Sequence, residues 1–452
     1  MTELFPPAFV FGYATSAFQI EGATHEDGRG ESIWDRFCQT PGAIADGTDG
    51  GVACDHYHRW KDDVALLASL EARAYRFSIA WPRVQPRGRG AANPKGLDFY
   101  QRLVDALLER GIRPFVTLYH WDLPQALQDE GGWASRSTAE AFVEYAGVVA
   151  KHLGDRVKDW VTHNEPWCIA HLGHHTGEQA PGLKDPMRAI QAAHHVLLSH
   201  GWAVPRIRQD SPGARVGIVL NPIIGIPASP SAVDHEAVRT MEAQFTRWYL
   251  DPLFRGSYPA DGIADHVALG HLPNDAMPWV RPGDLASISE PLDFLGVNYY
   301  SRSVCRAAIA EADNEPRTVP EPTVKTDMGW PVVPEGLTDL LTRLHRDYQP
   351  AQLYVTENGA AYGTGPSDDG RVHDLARVEY LEAHLAAVRR AVDLGAPVAG
   401  YFLWSLLDNF EWAFGYEKRF GAVWVDYSSQ KRTPKDSALW YRDLILSSEG
   451  RP

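Results

Sequence analysis

Eight short apolar runs recur along the chain, each followed by a loop and then by an amphipathic stretch, and this repeat constrains the fold more than any other feature. The runs are Phe9 to Ala14, Ala74 to Ile79, Pro114 to Leu118, Asp159 to His163, Arg215 to Leu220, Phe294 to Asn298, Leu353 to Thr356 and Val398 to Trp404. Between them lie helical patterns such as Lys61 to Leu70 and Phe99 to Glu109, whose apolar residues follow i, i+3, i+4 spacing. Strand, loop and helix repeated eight times predict an α/β chain folded as a single (β/α)8 TIM barrel with long βα loops. No low-complexity linker divides residues 1–452 and no repeat of solenoid period occurs, so the chain reads as one barrel domain. The most irregular stretch, Arg306 to Glu335, holds five prolines and reads as a long loop after the sixth strand.

Composition narrows the partners. A formal net charge of −15 argues against nucleic acid and anionic membrane, both of which demand clustered Lys and Arg, and leaves a neutral or cationic substrate. No run of eighteen apolar residues occurs, and the start Met1 to Pro7 has neither the basic nor the apolar region of a signal peptide, so a cytoplasmic protein with no membrane partner is expected. Cys38, Cys54, Cys168 and Cys305 are widely spaced and read as reduced thiols. His56, His58 and the pair His194 and His195 lack the carboxylate spacing of a metal site, so neither metal nor other cofactor is expected. The 15 Trp residues serve a core first, but sugar sites also favour them, because sugar C–H faces pack on aromatic rings.

Two glutamates fall at the C-terminal ends of candidate strands: Glu165 in Thr162 to Pro166 and Glu357 in Val355 to Gly359. That end of every barrel strand faces the site. Either glutamate alone reads as a solvated loop acid. Together they supply what acetal hydrolysis needs: one carboxylic acid to protonate the leaving oxygen and one carboxylate to attack or to activate water.

The stretches Phe18 to Gly22, Tyr75 to Arg83, Leu118 to Pro124, Asn164 to Pro166, Thr356 to Gly359 and Trp404 to Asp426 closely resemble the motifs of family 1 glycoside hydrolases, typified by β-glucosidases. The resemblance runs from Phe9 to Trp440. It implies a retaining β-glycosidase acting on small β-glucosides or oligosaccharides, with Glu165 as acid/base and Glu357 as nucleophile. It also implies that Arg76 and Tyr300 support Glu357, which is then expected to have a depressed pKa, while apolar surface such as Trp167 raises Glu165. For the sugar it implies Gln19, His120, Asn164, Glu411 and Trp412 on hydroxyls and Trp404 as a stacking platform. Trp121, Asn298, Tyr300, Trp330 and Phe420 complete the implied substrate contacts.

Two departures from the family pattern stand out: His163 and His171 occupy positions where aromatics are common. Each is expected to lie behind the acid/base, either tuning it or filling core space. Two alternatives remain beside the main reading. A 6-phospho-β-glucosidase would replace the acidic residue at Glu411 and hold phosphate with Ser, Lys and Tyr, whereas this chain keeps Glu411 and has Phe420 with only Lys418 nearby. A noncatalytic carbohydrate-binding barrel would be expected to lose one of the two glutamates. Oligomeric state and physiological aglycone are open at this point.

Overall fold

In the computed structural model, which describes residues 5–307, 317–321 and 323–451, eight parallel strands close into a barrel. They are β1 (Val10–Ala14), β2 (Ala74–Ser78), β3 (Arg113–Tyr119), β4 (Asp159–Asn164), β5 (Arg215–Leu220), β6 (Phe294–Asn298), β7 (Leu353–Asn358) and β8 (Val398–Trp404). Each pairs with its sequence neighbours, and β1 closes the ring against β8 with Val10 opposite Gly400 and Ala14 opposite Trp404. The strands are buried along nearly their whole length, which is why most of them read as near-continuous apolar runs rather than as alternating ones, with buried polar residues such as Arg76 and Asn164 as the exceptions.

The inside of the barrel is filled, not hollow. Phe115 meets Phe402 at 4.9 Å and Tyr354 at 5.4 Å between ring centres, and Phe294 meets Tyr354 at 5.3 Å. Gly12 makes this layer possible: a Cβ there would stand 2.6 Å from the Phe402 ring and 2.8 Å from the Ala74 carbonyl. At the N-terminal mouth Arg113 forks onto Asp159 with bonds of 2.5 and 2.7 Å. The βα loops that build a barrel's site lie at the other, C-terminal end.

The helices pack outside. The patterns read at Lys61 to Leu70 and Phe99 to Glu109 extend to His56–Ser69 and Pro94–Glu109. Asn93 caps the second by accepting from the Lys95 N–H, with Pro94 in the first turn, a polar start that apolar periodicity does not reveal.

Two differences from the sequence reading bear on the site. β4 and β7 run past His163 and Thr356 to include Asn164, Glu357 and Asn358, because these residues still pair with neighbouring strands. The ladder slips just there, between Val161 and Asn164 and between Val355 and Glu357, and such slips at barrel rims re-aim side chains. Secondly, the stretch Arg306 to Glu335 is not all loop. Arg306 ends the strand Ser303–Arg306, which pairs with Arg317–Val319 and with Gly225–Pro227 in a small sheet, and Pro334 opens the helix Pro334–Tyr348. The prolines punctuate this segment, but Pro334 sits where a helix tolerates proline, in its first turn. Residues 308–316 and 322 of the stretch lie outside the described residues.

Candidate active site

Glu165 and Glu357 stand at the ends of β4 and β7, buried at 6% and 4% exposure. Glu165 is held in the left-handed region at φ 49°, as are Trp121 at 78° and Trp412 at 52°. Each non-glycine residue in that region costs on the order of 1–3 kcal/mol, so the surrounding fold imposes the geometry of this rim.

The two carboxyls are gripped differently. Glu357 accepts from Arg76 Nη1 at 2.7 Å on one oxygen and from Tyr300 Oη at 2.7 Å on the other. Glu165 accepts from Asn298 Nδ2 at 2.7 Å and from the Cys168 thiol at 3.1 Å. Burial, and next the charge of Glu357, push Glu165 up to about 7. Burial also raises Glu357, and Arg76 and Tyr300 only oppose it, so the depressed pKa expected from the sequence is not what the site holds. The pair is ordered all the same. Arg76 opposes protonation at Glu357 through both its charge and a direct hydrogen bond, but at Glu165 only weakly and through space, behind the neutral donors Asn298 and Cys168, so a single shared proton resides on Glu165.

One network links this pair to the other residues implied by the resemblance. Asn164 Oδ1 accepts from Arg76 Nη2 at 2.6 Å and from Asn298 Nδ2 at 3.1 Å, which fixes the amide so that its Nδ2 donates to His120 Nε2 at 3.1 Å. His120 therefore carries its proton on Nδ1. Burial, and then the Arg76 charge, hold its pKa well below the usual histidine range, so the ring is neutral. It lies nearly parallel to Trp404 and Trp412, each 5.9 Å away, and Trp121 donates Nε1–H to the Asn164 carbonyl at 2.9 Å. Gln19 donates to Asn409 at 3.0 Å and to Glu411 at 3.4 Å. Tyr300, Trp330 and Phe420 form an aromatic cluster with centres 5.2 to 6.1 Å apart.

Cys168, Thr356 and Asn409 were not singled out from the sequence. Thr356 donates to Asn298 Oδ1 at 2.8 Å and so turns that amide's donors toward Asn164 and Glu165. The one available signal was the i, i+3 spacing of Glu165 and Cys168. The two unusual histidines separate. His163 faces away from the site, donating to or accepting from Ser199 at 2.8 Å and packing 4.3 Å from Phe142, a core role. His171 stacks on Trp167 at 4.6 Å, and Trp167 also stacks on Phe245 at 4.0 Å. His56 and His194 bind Asp63 and Asp284, at 2.8 and 3.1 Å. Among the described residues no group of three or more His, Cys, Asp or Glu could hold a metal ion, and no helix is long and apolar enough to cross a membrane.

The family model described as glycosyl hydrolase family 1 matches residues 1–450. The chain belongs to glycosyl hydrolase family 1. This family 1 hydrolase is 48% identical to β-glucosidase A of Thermotoga maritima, over 98% of each chain. It is 45% identical to a bifunctional β-D-glucosidase/β-D-fucosidase of Bifidobacterium breve, over 100% of each. The solved β-glucosidase of Thermotoga maritima in complex with deoxynojirimycin superposes with a TM-score of 0.93 at 46% identity, covering 98% of this chain and 99% of that one.

The rim of this family 1 hydrolase stores unfavourable charge. Burial, and then the charges of Glu357 and Glu165, push Glu411 up to about 8. A carboxyl raised in the fold favours the folded state below its unfolded pKa and loses that contribution as pH rises through the folded value. For Glu165 and Glu411 the window runs from the ordinary carboxylate range up to about 8. Glu411→Gln is therefore expected to raise the melting temperature of the unliganded protein at pH 8.5 and to change it little at pH 4.5. Scanning calorimetry at the two pH values checks this, and an equal shift at both would contradict it.

Proposed function

We propose that this chain, a retaining family 1 glycosidase, hydrolyses terminal non-reducing β-D-glucosyl residues by double displacement, with Glu357 as nucleophile and Glu165 as acid/base. The observation that carries the assignment is the asymmetry of the pair: a guanidinium and a phenol on Glu357, an amide and a thiol on Glu165. Glu357 attacks the anomeric carbon while Glu165 gives its proton to the departing oxygen. Once the glycosyl-enzyme forms, Glu357 has lost its charge, the chief electrostatic cause of the raised Glu165 pKa disappears, and Glu165 becomes the base that activates water. The carboxyls are expected about 5 to 5.5 Å apart, as retention requires. Proton NMR of the reaction should show the β-anomer of glucose first, with the α-anomer following by mutarotation. An α-configured first product would overturn the mechanism.

For the sugar, Gln19 and Glu411 act as hydroxyl clamps, Asn164 and His120 serve neighbouring hydroxyls, and Trp404 is the stacking platform. The names of the relatives and the deoxynojirimycin held by the Thermotoga maritima enzyme support a small neutral sugar with breadth toward β-fucosides. The four thiols, none paired in a disulfide, support a cytoplasmic setting. A 6-phosphoglucoside is disfavoured less by the Glu411 charge, which its raised pKa weakens at pH 7, than by the shortage of cations. Lys418 already donates to the Asp327 carbonyl at 2.9 Å. Glu411→Ser should thus cut glucoside kcat/KM by roughly ten- to a hundredfold, the worth of two hydrogen bonds of about 0.5–1.5 kcal/mol each, with little gain on 6-phosphoglucosides. Unchanged glucoside turnover would refute the clamp.

A further inference from the structure

A cleft of about 170 Å³ opens on the outer side of the segment that follows Glu165. Trp167 lines it, but neither glutamate of the pair does, nor do Gln19, His120, Trp404 or Glu411. One wall is an apolar stripe on the helix Pro186–Asp210, formed by Pro186, Ala189, Ile190 and Ala193 at successive turns. Facing it are the rings of Trp167, Phe245 and Trp248.

The polar part of the lining is an arc of four imidazoles, His171, His175, His266 and His271, with the Gln244 amide. His171 and His175 approach to 3.3 Å, His266 and His271 to 3.1 Å, and the rings of His175 and His271 are 4.9 Å apart, so the arc is continuous. No Asp, Glu, Lys or Arg is among the lining residues. The Gln244 Nε2 is buried and has no hydrogen-bond partner among the described residues, although such a donor normally finds one.

These features define an occupant. A site lined by no carboxylate, ammonium or guanidinium group favours a neutral molecule, because an ion would lose its hydration with no fixed opposite charge to replace it. The volume suits one six-membered ring, since an apolar cavity of roughly 150 Å³ accepts benzene. One apolar wall facing a polar arc suits a flat ring with a hydroxyl on one edge better than a sugar, which presents hydroxyls all round. We propose that this cleft is a binding site for a neutral monocyclic aryl alcohol, separate from the sugar pocket and lined by Trp167, two residues beyond Glu165 in the chain. The hydroxyl accepts from the Gln244 amide and donates to an imidazole nitrogen. Burial holds His171 at about 4 and His266 at about 3, so both rings are neutral near pH 7 and able to accept. Alcohols of this class are released when aryl β-glucosides are cleaved, so the site would sense product, and in that respect the inference rests on the function proposed above.

The test uses the whole enzyme after inactivation with 2,4-dinitrophenyl 2-deoxy-2-fluoro-β-glucoside, which fills the sugar pocket, and phenol as probe. Mass spectrometry first establishes the label. A chain that takes none overturns the nucleophile assignment alone, and phenol is then titrated into the unlabelled protein. Saturation-transfer NMR and calorimetry should show phenol bound to the labelled enzyme. Affinity should fall about tenfold or more in Ala189→Phe, which fills the cleft, and in Gln244→Ala, which removes the donor. Both variants should keep the wild-type labelling rate, which certifies their folding. If Ala189→Phe labels slowly, Gln244→Ala decides. Absence of phenol binding, binding that Gln244→Ala leaves unchanged, or equal competition by D-glucose would overturn the proposal.

Discussion

Glu357→Ala is expected to lose roughly 10⁴-fold or more in kcat on every glycoside, by analogy with other removed nucleophiles. Glu165→Ala should fail in a different way. Protonation matters only for poor leaving groups, so this variant should still form the glycosyl-enzyme quickly from dinitrophenyl glucosides and then stall for want of a base. Azide separates the two variants by stereochemistry. In Glu165→Ala it displaces Glu357 from the opposite face of the sugar and should give the β-glucosyl azide. In Glu357→Ala it attacks the substrate itself on the face that Glu357 had occupied and should give the α-glucosyl azide. The anomeric coupling constant of each product, by proton NMR, reads out the roles. Opposite products would mean that the roles are reversed, and full turnover in either variant would move the site elsewhere.

That test could be designed from the sequence because the parts carrying the chemistry lie on the most regular element of the fold. A strand buried on both faces is rich in apolar residues, so the barrel strands announce themselves, and Glu165 and Glu357 are found at the polar ends of two of them. What was hidden depends on pairing across the chain. The ladder slips that aim Asn164 and Glu357 arise from neighbouring strands and have no local signature. The small sheet of Ser303–Arg306 and Arg317–Val319 gains its third strand from residues 225–227, far earlier in the chain. Cys168 acts on Glu165 through one thiol hydrogen bond, in a residue type that usually only fills space.

The charge state of Glu357 is a further case. From the sequence, Arg76 beside a carboxylate argues for a depressed pKa, since pairing is visible in a motif and burial is not. In the folded site, burial outweighs the guanidinium. Arg76 is thus better described as limiting a rise than as causing a fall, and this changes what its removal should do.

Arg76→Met should leave a buried carboxyl with only the neutral donors Tyr300 and Asn298 against its protonation. Arg76 is fully buried and also donates to Asn164 Oδ1 and, at 3.2 Å, to Thr117 Oγ1, so the fork orders the acid, the amide and the strand together. Breaking one side of a buried ion pair costs about 3–5 kcal/mol of folding stability, and removing a preorganised donor from a reacting group costs on the order of 10²- to 10³-fold in rate, the loss expected here in kcat/KM. A merely structural arginine would give a similar loss at every pH. If the guanidinium instead keeps Glu357 ionised, its removal must shift the acid limb of the pH profile upward, because protonated Glu357 cannot attack. The loss should therefore shrink as pH rises, until the basic limb set by Glu165 near 7 intervenes. Arg76→Lys, which keeps a charge but not the fork, should restore the acid limb and only part of the rate. A pH–rate profile for the three proteins, measured on one aryl glucoside, decides the matter: parallel profiles that differ only in height would reduce Arg76 to a packing role.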